Sequence, residues 1–377
     1  MKIRLFKPHL DQNDLESIKK AFDINWLGLG TMVDQFEKEW SSKFGTKYSL
    51  GLNSATAALH LALAAFSFPK GKKVLIPSMT FSATAMAVLY NDLIPVFVDV
   101  ENDNLTINIE DLKLKIDKDC VAVIPVHYGG SACDMDNIMQ IARDNDLKVI
   151  EDCAHTQGGT YKGRYLGTIG DIGCFSFEEK KGMTTGDGGM ICFNDDNIYD
   201  YLKPMRWVGI DKDTWRRVEG LSDLNDYSFH WFYEIRNIGF KYNMNNFAAS
   251  LGLSQFKKLD EINRTKNEAI KRYIQNLKNV KQFDFLMDYN KWTDSYWLFG
   301  LRVQNRSELI NFLSENGIST GVHFTPLNDQ PFFSKFPGKT PIAKELYTKI
   351  LTLPLYPMMK IDDVDYVCDL IKKFYQK

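Results

Sequence analysis

Apolar positions recur along this chain with two periods, and the alternation between them outlines an architecture. Residues 12 to 23 repeat at helical spacing, with Leu15, Ile18 and Phe22 on one face. Residues 32 to 44 do so again through Val33, Phe36 and Trp40. From Tyr48 onward, short continuous apolar runs alternate with helical stretches. Strands are predicted at 48–52, 73–77, 94–100, 120–126 and 148–152. Helices are predicted from Ser54 to Leu63 and over 81–90, 108–116 and 135–144. Strands apolar on both faces and separated by helices predict an α/β fold, with a mainly parallel sheet covered on both sides.

Further along, Phe175 begins an apolar run that ends in Glu178-Glu179-Lys180-Lys181. A loop of threonines and glycines follows, then a second strand-like run, Met190-Ile191-Cys192-Phe193. Residues 203–235 break the rhythm with Met205-Arg206-Trp207, Trp215-Arg216-Arg217 and His230-Trp231-Phe232-Tyr233. Such a long segment reads either as a packing arm or dimer contact, or as a wall facing a substrate. Residues 243–276 read as a helical connector. A smaller α+β pattern follows, with a strand over 296–303, a helix over 306–316, a Gly-rich stretch at 317–324 and a helix over 361–375. The expected division is a large domain over 1–255 and a small one over 256–377.

Composition narrows the class. At 377 residues, with 44% hydrophobic and 25% charged residues, the chain can bury a large core without metal or disulfide staples. A net charge of -2 excludes the basic field that nucleic acid or an anionic membrane requires. Six scattered cysteines lack metal-ligand spacing, so no metal site is expected and a reducing compartment is. The N-terminal residues lack an apolar signal core, and the most apolar window, 50–66, carries Asn53, Ser54, Thr56 and His60. A cytoplasmic protein without a membrane span is therefore expected.

In parallel sheets, ligands bind beyond the carboxyl ends of the strands. Thr80, His127, Asp152 and Lys181 all fall near such ends. A lysine there, once desolvated, has a lowered pKa and a free lone pair for Schiff-base chemistry. A pair such as Lys180-Lys181 in a turn is otherwise ordinarily solvated. The helix opening at Ser54 offers unpaired N–H groups and a positive dipole end to an anion such as phosphate, although Ser54 or Thr56 alone would serve equally as an N-cap. A phosphate site, an aromatic, a strand-terminal Asp and a strand-terminal Lys, in that order, are what pyridoxal phosphate needs.

The chain resembles the DegT/DnrJ/EryC1/StrS sugar aminotransferases nearly end to end. The resemblance is carried by Asn53 to Leu61, Pro77-Ser78-Met79-Thr80-Phe81, Pro125-Val126-His127, Glu151-Asp152-Cys153-Ala154-His155, Ser176-Phe177 through Lys181 to Gly189, Gly239 to Met244, Gly321-Val322-His323-Phe324 and Leu353 to Pro357. It implies the type I aspartate-aminotransferase fold, with a seven-stranded sheet. It also implies that Lys181, rather than Lys180, is the Schiff-base lysine, that Asp152 pairs with the pyridinium nitrogen and that Phe81 stacks on the ring. Ala55, Thr56 and Ser176 would hold the phosphate, and His155 would lie near the ring hydroxyl. Asn243, with Lys241, would reach the phosphate of a second subunit in a homodimer. His127, Arg206, Trp207, Arg216, His323 and Asn328 are candidate substrate contacts.

Three positions depart from the family pattern. His155 replaces a common Gln, which makes protonation there a pH variable. Glu178-Glu179 replaces His-containing or neutral residues, and a carboxylate close to Lys181 would oppose its activation. Asp187 replaces Glu. The implied reaction moves an amino group from L-glutamate to a keto-sugar. That sugar is either a nucleotide-linked 4-keto-6-deoxyhexose or a free keto-sugar such as an 8-oxo octulosonate, in amino-sugar or lipopolysaccharide biosynthesis. The alternative is a sugar dehydratase of the same family, whose members of similar architecture carry His in place of the lysine.

Overall fold

A computed structural model describes residues 3–211, 232–235, 237–289 and 293–376. In chain order its first strands are β1 Tyr48–Leu52, β2 Lys73–Pro77, β3 Ile94–Val98, β4 Cys120–Val123, β5 Lys148–Asp152, β6 Thr160–Tyr161, β7 Arg164–Tyr165, β8 Ile172–Ser176 and β9 Gly189–Phe193. Seven of these form one sheet in the order β1-β9-β8-β5-β4-β2-β3, and β6 and β7 form a separate hairpin. Within the sheet β2 lies parallel to β3 and β4, β4 to β5, and β5 to β8. β9 is antiparallel to both of its neighbours, so it alone runs against the rest. This is the expected mainly parallel seven-stranded sheet.

Alternate strand residues feed two cores. Leu75, Val123, Val149 and Phe175 point toward helices Thr31–Phe44, Met135–Asp144 and Asn246–Lys257. Val74, Ile76, Ile150 and Cys174 point toward helices Ala55–Ala64 and Ser82–Tyr90. Burial on both faces explains why the strands read as unbroken apolar runs. The stripe Val33, Phe36 and Trp40 is fully buried, as its spacing predicts. All six cysteines are buried and unpaired.

The helix Gln12–Asp23 behaves differently from its pattern. Leu15 and Phe22 are 60% and 57% exposed, while Asp14 and Ala21 face inward. Asp14 is taken in by Lys258, whose Nζ lies 2.7 Å from its carboxylate, and by the Gln255 amide. Burial alone would raise the Asp14 pKa, but hydrogen bonds from Lys258 and Ser254 hold it below the usual value. The polar anchor sets the rotation of the helix and leaves its apolar stripe facing outward.

The small domain is built on a three-stranded antiparallel sheet, β10 Phe283–Phe285, β11 Phe299–Val303 and β12 Ile350–Leu353. Helices Arg306–Glu315 and Ile361–Tyr375 contribute to its core. Helix Leu259–Leu277 connects the domains. Its Leu259 and Ile262 belong to the large core, and its Ala269, Ile270, Tyr273 and Leu277 to the small one. The chain's first residues, assigned by sequence to the large domain, also pack here. Ile3 pairs with Ile318, and the Leu5 carbonyl accepts from Leu355 N at 3.1 Å. Helices Asp196–Met205 and Pro341–Tyr347 and strand β12 are further elements that periodicity missed. Residues 212–231 lie outside the described residues, and with them Trp215, Arg216, Arg217, His230 and Trp231. Among the described residues no helix is long and apolar enough to cross a membrane.

Candidate active site

The carboxyl ends of β1, β2, β5 and β8 and the start of β9 meet at one edge of the large sheet. A cavity of about 360 Å³ opens there, lined by Ser54, Ala55, Thr56, Thr80, Phe81, Asp152, His155, Ser176 and Lys181, and closed from the small domain by Trp297, His323 and Phe324.

Lys181 is held by the loop between β8 and β9. The neck of that loop is fastened by Phe177 N to the Gly188 carbonyl (2.9 Å), Thr185 N to the Phe177 carbonyl (3.0 Å) and Thr184 Oγ1 to the same carbonyl (3.0 Å). Beneath it, Phe177 packs on Phe36 and Trp40 at 5.5 and 5.2 Å between ring centres. Each buried aromatic of this kind stabilises its position by roughly 1.5–3 kcal/mol. Gln157 supports the loop from below, donating to the Ser176 carbonyl and accepting from Met183 N.

Lys181 is half-buried at the cavity, and desolvation lowers its pKa to about 8. Glu178 and Asp152 push the other way and Lys180 adds to the lowering, but burial dominates. Glu178 is the first of the charges that favour the ammonium. Its carboxylate accepts from Lys180 N at 3.1 Å, it lies 3.8 Å from Lys180 Nζ, and it is about a third exposed, so much of its field is spent elsewhere. Lys180 and Glu179 are exposed. Asp187 lies at the cavity rim.

Asp152 ends β5 and is almost fully buried. Thr84 Oγ1 donates to Oδ2 at 2.9 Å and Ala154 N to Oδ1 at 3.1 Å. Burial raises its pKa against these bonds and against the Lys181 charge. A carboxylate in this state gains most by facing a cation in the cavity. On the opposite side, Ser54 caps helix Ala55–Ala64 by accepting from Ala57 N at 3.1 Å. The first-turn N–H groups of Ala55 and Thr56 have no intrahelical acceptor and, with the Ser176 hydroxyl, suit an anion. Gly189 lets β9 approach this point. A Cβ there would lie 2.4 Å from the Ser54 carbonyl carbon and 2.7 Å from Ala55 N.

His155 is buried, and its Nδ1 accepts from Gly129 N at 3.3 Å. Desolvation, helped by Lys181 and His323, holds its pKa well below the usual value. Burial and the bond from Gly129 both favour the neutral ring with its proton on Nε2. His323 also lines the cavity and is held down to about 4, first by burial and then by Lys181 and Lys180. Its Nδ1 lies 2.9 Å from Thr352 Oγ1. Phe81 stands at the mouth, 59% exposed, with its ring centre 6.2 Å from that of Phe324.

Several candidates lie elsewhere. His127 is fully buried behind the cavity, with Nε2 at 3.1 Å from Glu151 and Nδ1 accepting from Cys133 N. Glu151 also takes three backbone N–H groups, from Gly167, Ile169 and Gly170, so this pair fastens the 167–170 turn rather than meeting a substrate. Those bonds also occupy the one cluster, His127, Glu151 and Cys153, with metal-ligand proximity among the described residues. Arg206 is buried against Glu37, an ion pair that joins helices Thr31–Phe44 and Asp196–Met205. Asn328 exchanges hydrogen bonds with Thr340, at 2.8 and 3.0 Å, away from the cavity lining. Trp207 lies under Lys241, with Nζ 3.5 Å from its ring centre, and Lys241 Nζ donates to Asn243 Oδ1 at 2.9 Å. None of these three lines the cavity of its own chain.

Sequence reasoning missed Thr84, Gln157, Trp297 and Phe324 as site residues. Thr84 could have been found, one helical turn beyond Thr80, to which its hydroxyl bonds at 2.9 Å.

One cavity thus presents an amine, a buried carboxylate, an anion cradle and aromatic walls, and pyridoxal phosphate fits each of these. The chain belongs to the DegT/DnrJ/EryC1/StrS aminotransferase family, whose model matches residues 8–372. It is a pyridoxal phosphate-dependent sugar aminotransferase. Among its relatives, the spore coat polysaccharide biosynthesis protein SpsC of Bacillus subtilis (strain 168) is 34% identical, over 97% of this chain and 95% of that one. The GDP-perosamine synthase of Escherichia coli O157:H7 is 31% identical, over 99% and 98%. The solved structure of the putative sugar aminotransferase Spr1654 from Streptococcus pneumoniae, in its PMP form, is 25% identical, with a TM-score of 0.89 and 98% of both chains covered.

Proposed function

We propose that the enzyme takes its amino group from L-glutamate and delivers it to a nucleotide-linked keto-sugar, in the building of a surface polysaccharide. The observation that carries the reaction is the convergence of Lys181, Asp152 and the Ala55–Thr56 helix start on one cavity. When bound, the cofactor supplies an electron sink conjugated to the carbon that bears the amine. Asp152, ionised, would keep a proton on the ring nitrogen. Ala55, Thr56 and Ser176 would hold the phosphate, and Phe81 would pack against the ring. Neutral His155 would donate from Nε2 toward the ring hydroxyl. Lys181 would move a proton, as acid and base, between the substrate carbon that bears the amine and the cofactor. Its pKa of about 8 populates both forms near neutral pH. Retention of this lysine supports amino transfer over dehydration.

The substrate assignment draws on a second cleft of about 590 Å³, which shares Thr80, Phe81 and Phe324 with the first and continues to Gln330, Phe332 and Phe333. It gives room for a substrate that extends past its reacting sugar. The name of the GDP-perosamine synthase relative points to a nucleotide-linked product. The test is release of 2-oxoglutarate from glutamate against a panel of keto-sugars, each with and without its nucleotide. Turnover of only the free sugars would overturn the nucleotide reading, and loss of glutamate dependence would overturn the donor.

The same reading includes a homodimer in the cytoplasm, where six unpaired buried thiols are stable. Leu15, Phe22, Ile24, Leu27 and Phe247 are each at least 40% exposed, more apolar surface than a monomer leaves bare without reason. Asn243 and Lys241, bonded to each other outside their own cavity, would serve the partner's. Light scattering is expected to give twice the chain mass, and Leu15→Glu with Phe22→Glu to halve it. A wild-type monomer would refute this part.

A further inference from the structure

We infer that the ring face of Trp297 is the seat that receives the Lys181 ammonium whenever the lysine is not bonded to the cofactor. The proposal rests on the reading of Lys181 as the Schiff-base lysine. Lys181 Nζ lies 4.2 Å from the Trp297 ring centre, within the range of a cation–π contact. The indole is fixed at every edge. Its Nε1 donates to the Lys180 carbonyl at 2.7 Å, one residue from the lysine it supports. Its backbone N–H donates to the Gly129 carbonyl at 2.8 Å, and Gly129 N in turn donates to His155 Nδ1. The His155 ring stacks on it at 4.1 Å with 4° between planes, and Phe6 at 4.9 Å with 8°. A group so constrained, only 5% exposed, gives the lysine a defined resting position instead of a set of rotamers.

The chemistry gives this position a use. As the cofactor lysine, Lys181 would have to take up a proton and return it while unbonded, without wandering. The ring quadrupole favours the charged form and so moderates the desolvation that lowers the pKa. The other charged or titratable groups around Lys181 are Glu178, Lys180 and Asp187 on its own loop, Asp152 and His155 at and after the end of β5, His323 from the small domain and, behind the loop, Lys266, Lys7 and Tyr356. Glu178 and Asp152 also favour the ammonium, whereas Lys180, His323 and Lys266 gain nothing from it. Trp297 supplies a stabilising contact that carries no charge and does not titrate. It is a positioning residue, acting through Lys181.

The test reads the lysine directly. In protein freed of cofactor, the rate at which a trace acylating reagent labels Lys181 is followed against pH by mass spectrometry of the peptide. Trp297→Leu removes the face, and the Lys181 midpoint is expected to fall by about one pH unit. Trp297→Phe keeps a weaker face and is expected to fall by less than half as much. If the Leu variant does not fold, Trp297→Met, unbranched, adaptable and without a π face, takes its place. A midpoint unchanged in the Leu or Met variant would overturn the proposal, as would equal shifts in the Phe and Leu variants. These outcomes are independent of whether Lys181 is the cofactor lysine. That reading fails separately, if borohydride fixes the cofactor to another residue.

Discussion

Lys181→Ala is expected to lower amino transfer by at least about 10³-fold, because one side chain supplies both the covalent anchor and the proton shuttle. The fold should survive. The loop is held by backbone bonds at Phe177, Thr184 and Thr185 and by aromatic packing under Phe177, none of which uses the lysine side chain. The measurements are 2-oxoglutarate release and a thermal melt. Two further results belong to the same expectation. Borohydride treatment of the wild type should leave the cofactor on the peptide at Lys181. Lys180→Ala should behave much as the wild type, since the Lys180 side chain is mostly exposed and directed toward Glu178. Loss of activity only in the Lys180 variant, or a tag on Lys180, would reverse the assignment of the two lysines.

Asp152→Asn is the second large effect, at least about 10²-fold in kcat, the scale on which removing one preorganised electrostatic group from a dry site acts. Asparagine fills the same space: its single oxygen can keep the bond from Ala154 N, and its Nδ2 can donate to the Thr84 hydroxyl, which turns to accept. Stability should therefore change little. What disappears is the negative charge that keeps a proton on the ring nitrogen. The carboxylate is held against a burial that favours its neutral form, so a cation opposite it is what makes the charged form worthwhile. The visible absorbance of the bound cofactor should shift in this variant while its occupancy is retained. A kcat within about tenfold of the wild type would show that the ring nitrogen is served by some other group.

Much of this was legible in the sequence because parallel-sheet strands advertise themselves. Buried on both faces, they read as unbroken apolar runs, and their carboxyl ends collect ligands. Asp152, Lys181 and the Ser54 helix start could be placed at one edge on that ground. What was not legible depended on polar partners or on distant pairs. Leu15 and Phe22 repeat as a core stripe should, yet the helix is rotated by Asp14 and its partners Lys258 and Gln255, more than two hundred residues away in the chain. His155 looked like a titrating group because its pKa depends on burial and on a hydrogen bond from Gly129, neither of which its own neighbours in sequence reveal. Arg206 looked like a substrate ligand and is instead the counter-charge of Glu37. Trp297 was read only as a strand residue, since nothing near it in sequence records that it lies against a loop 117 positions earlier.

The pairing of Ile3 with Ile318 and of Leu5 with Leu355 has a topological consequence. Residues 3–6 pack in the small domain, the chain then builds the large one, and it comes back along helix Leu259–Leu277. The small domain is therefore discontinuous in sequence, and two covalent tethers cross the boundary between the bodies. Cutting the chain near residue 256 would not release a self-contained module, because its first strand-like segment would stay with the other piece. Phe6 sits on that segment and stacks on Trp297, so residues 3–6 are joined by direct contact to the wall beside Lys181. Changes to Phe6 and its neighbours are changes to the catalytic pocket, although Phe6 lies 175 residues from its lysine in sequence.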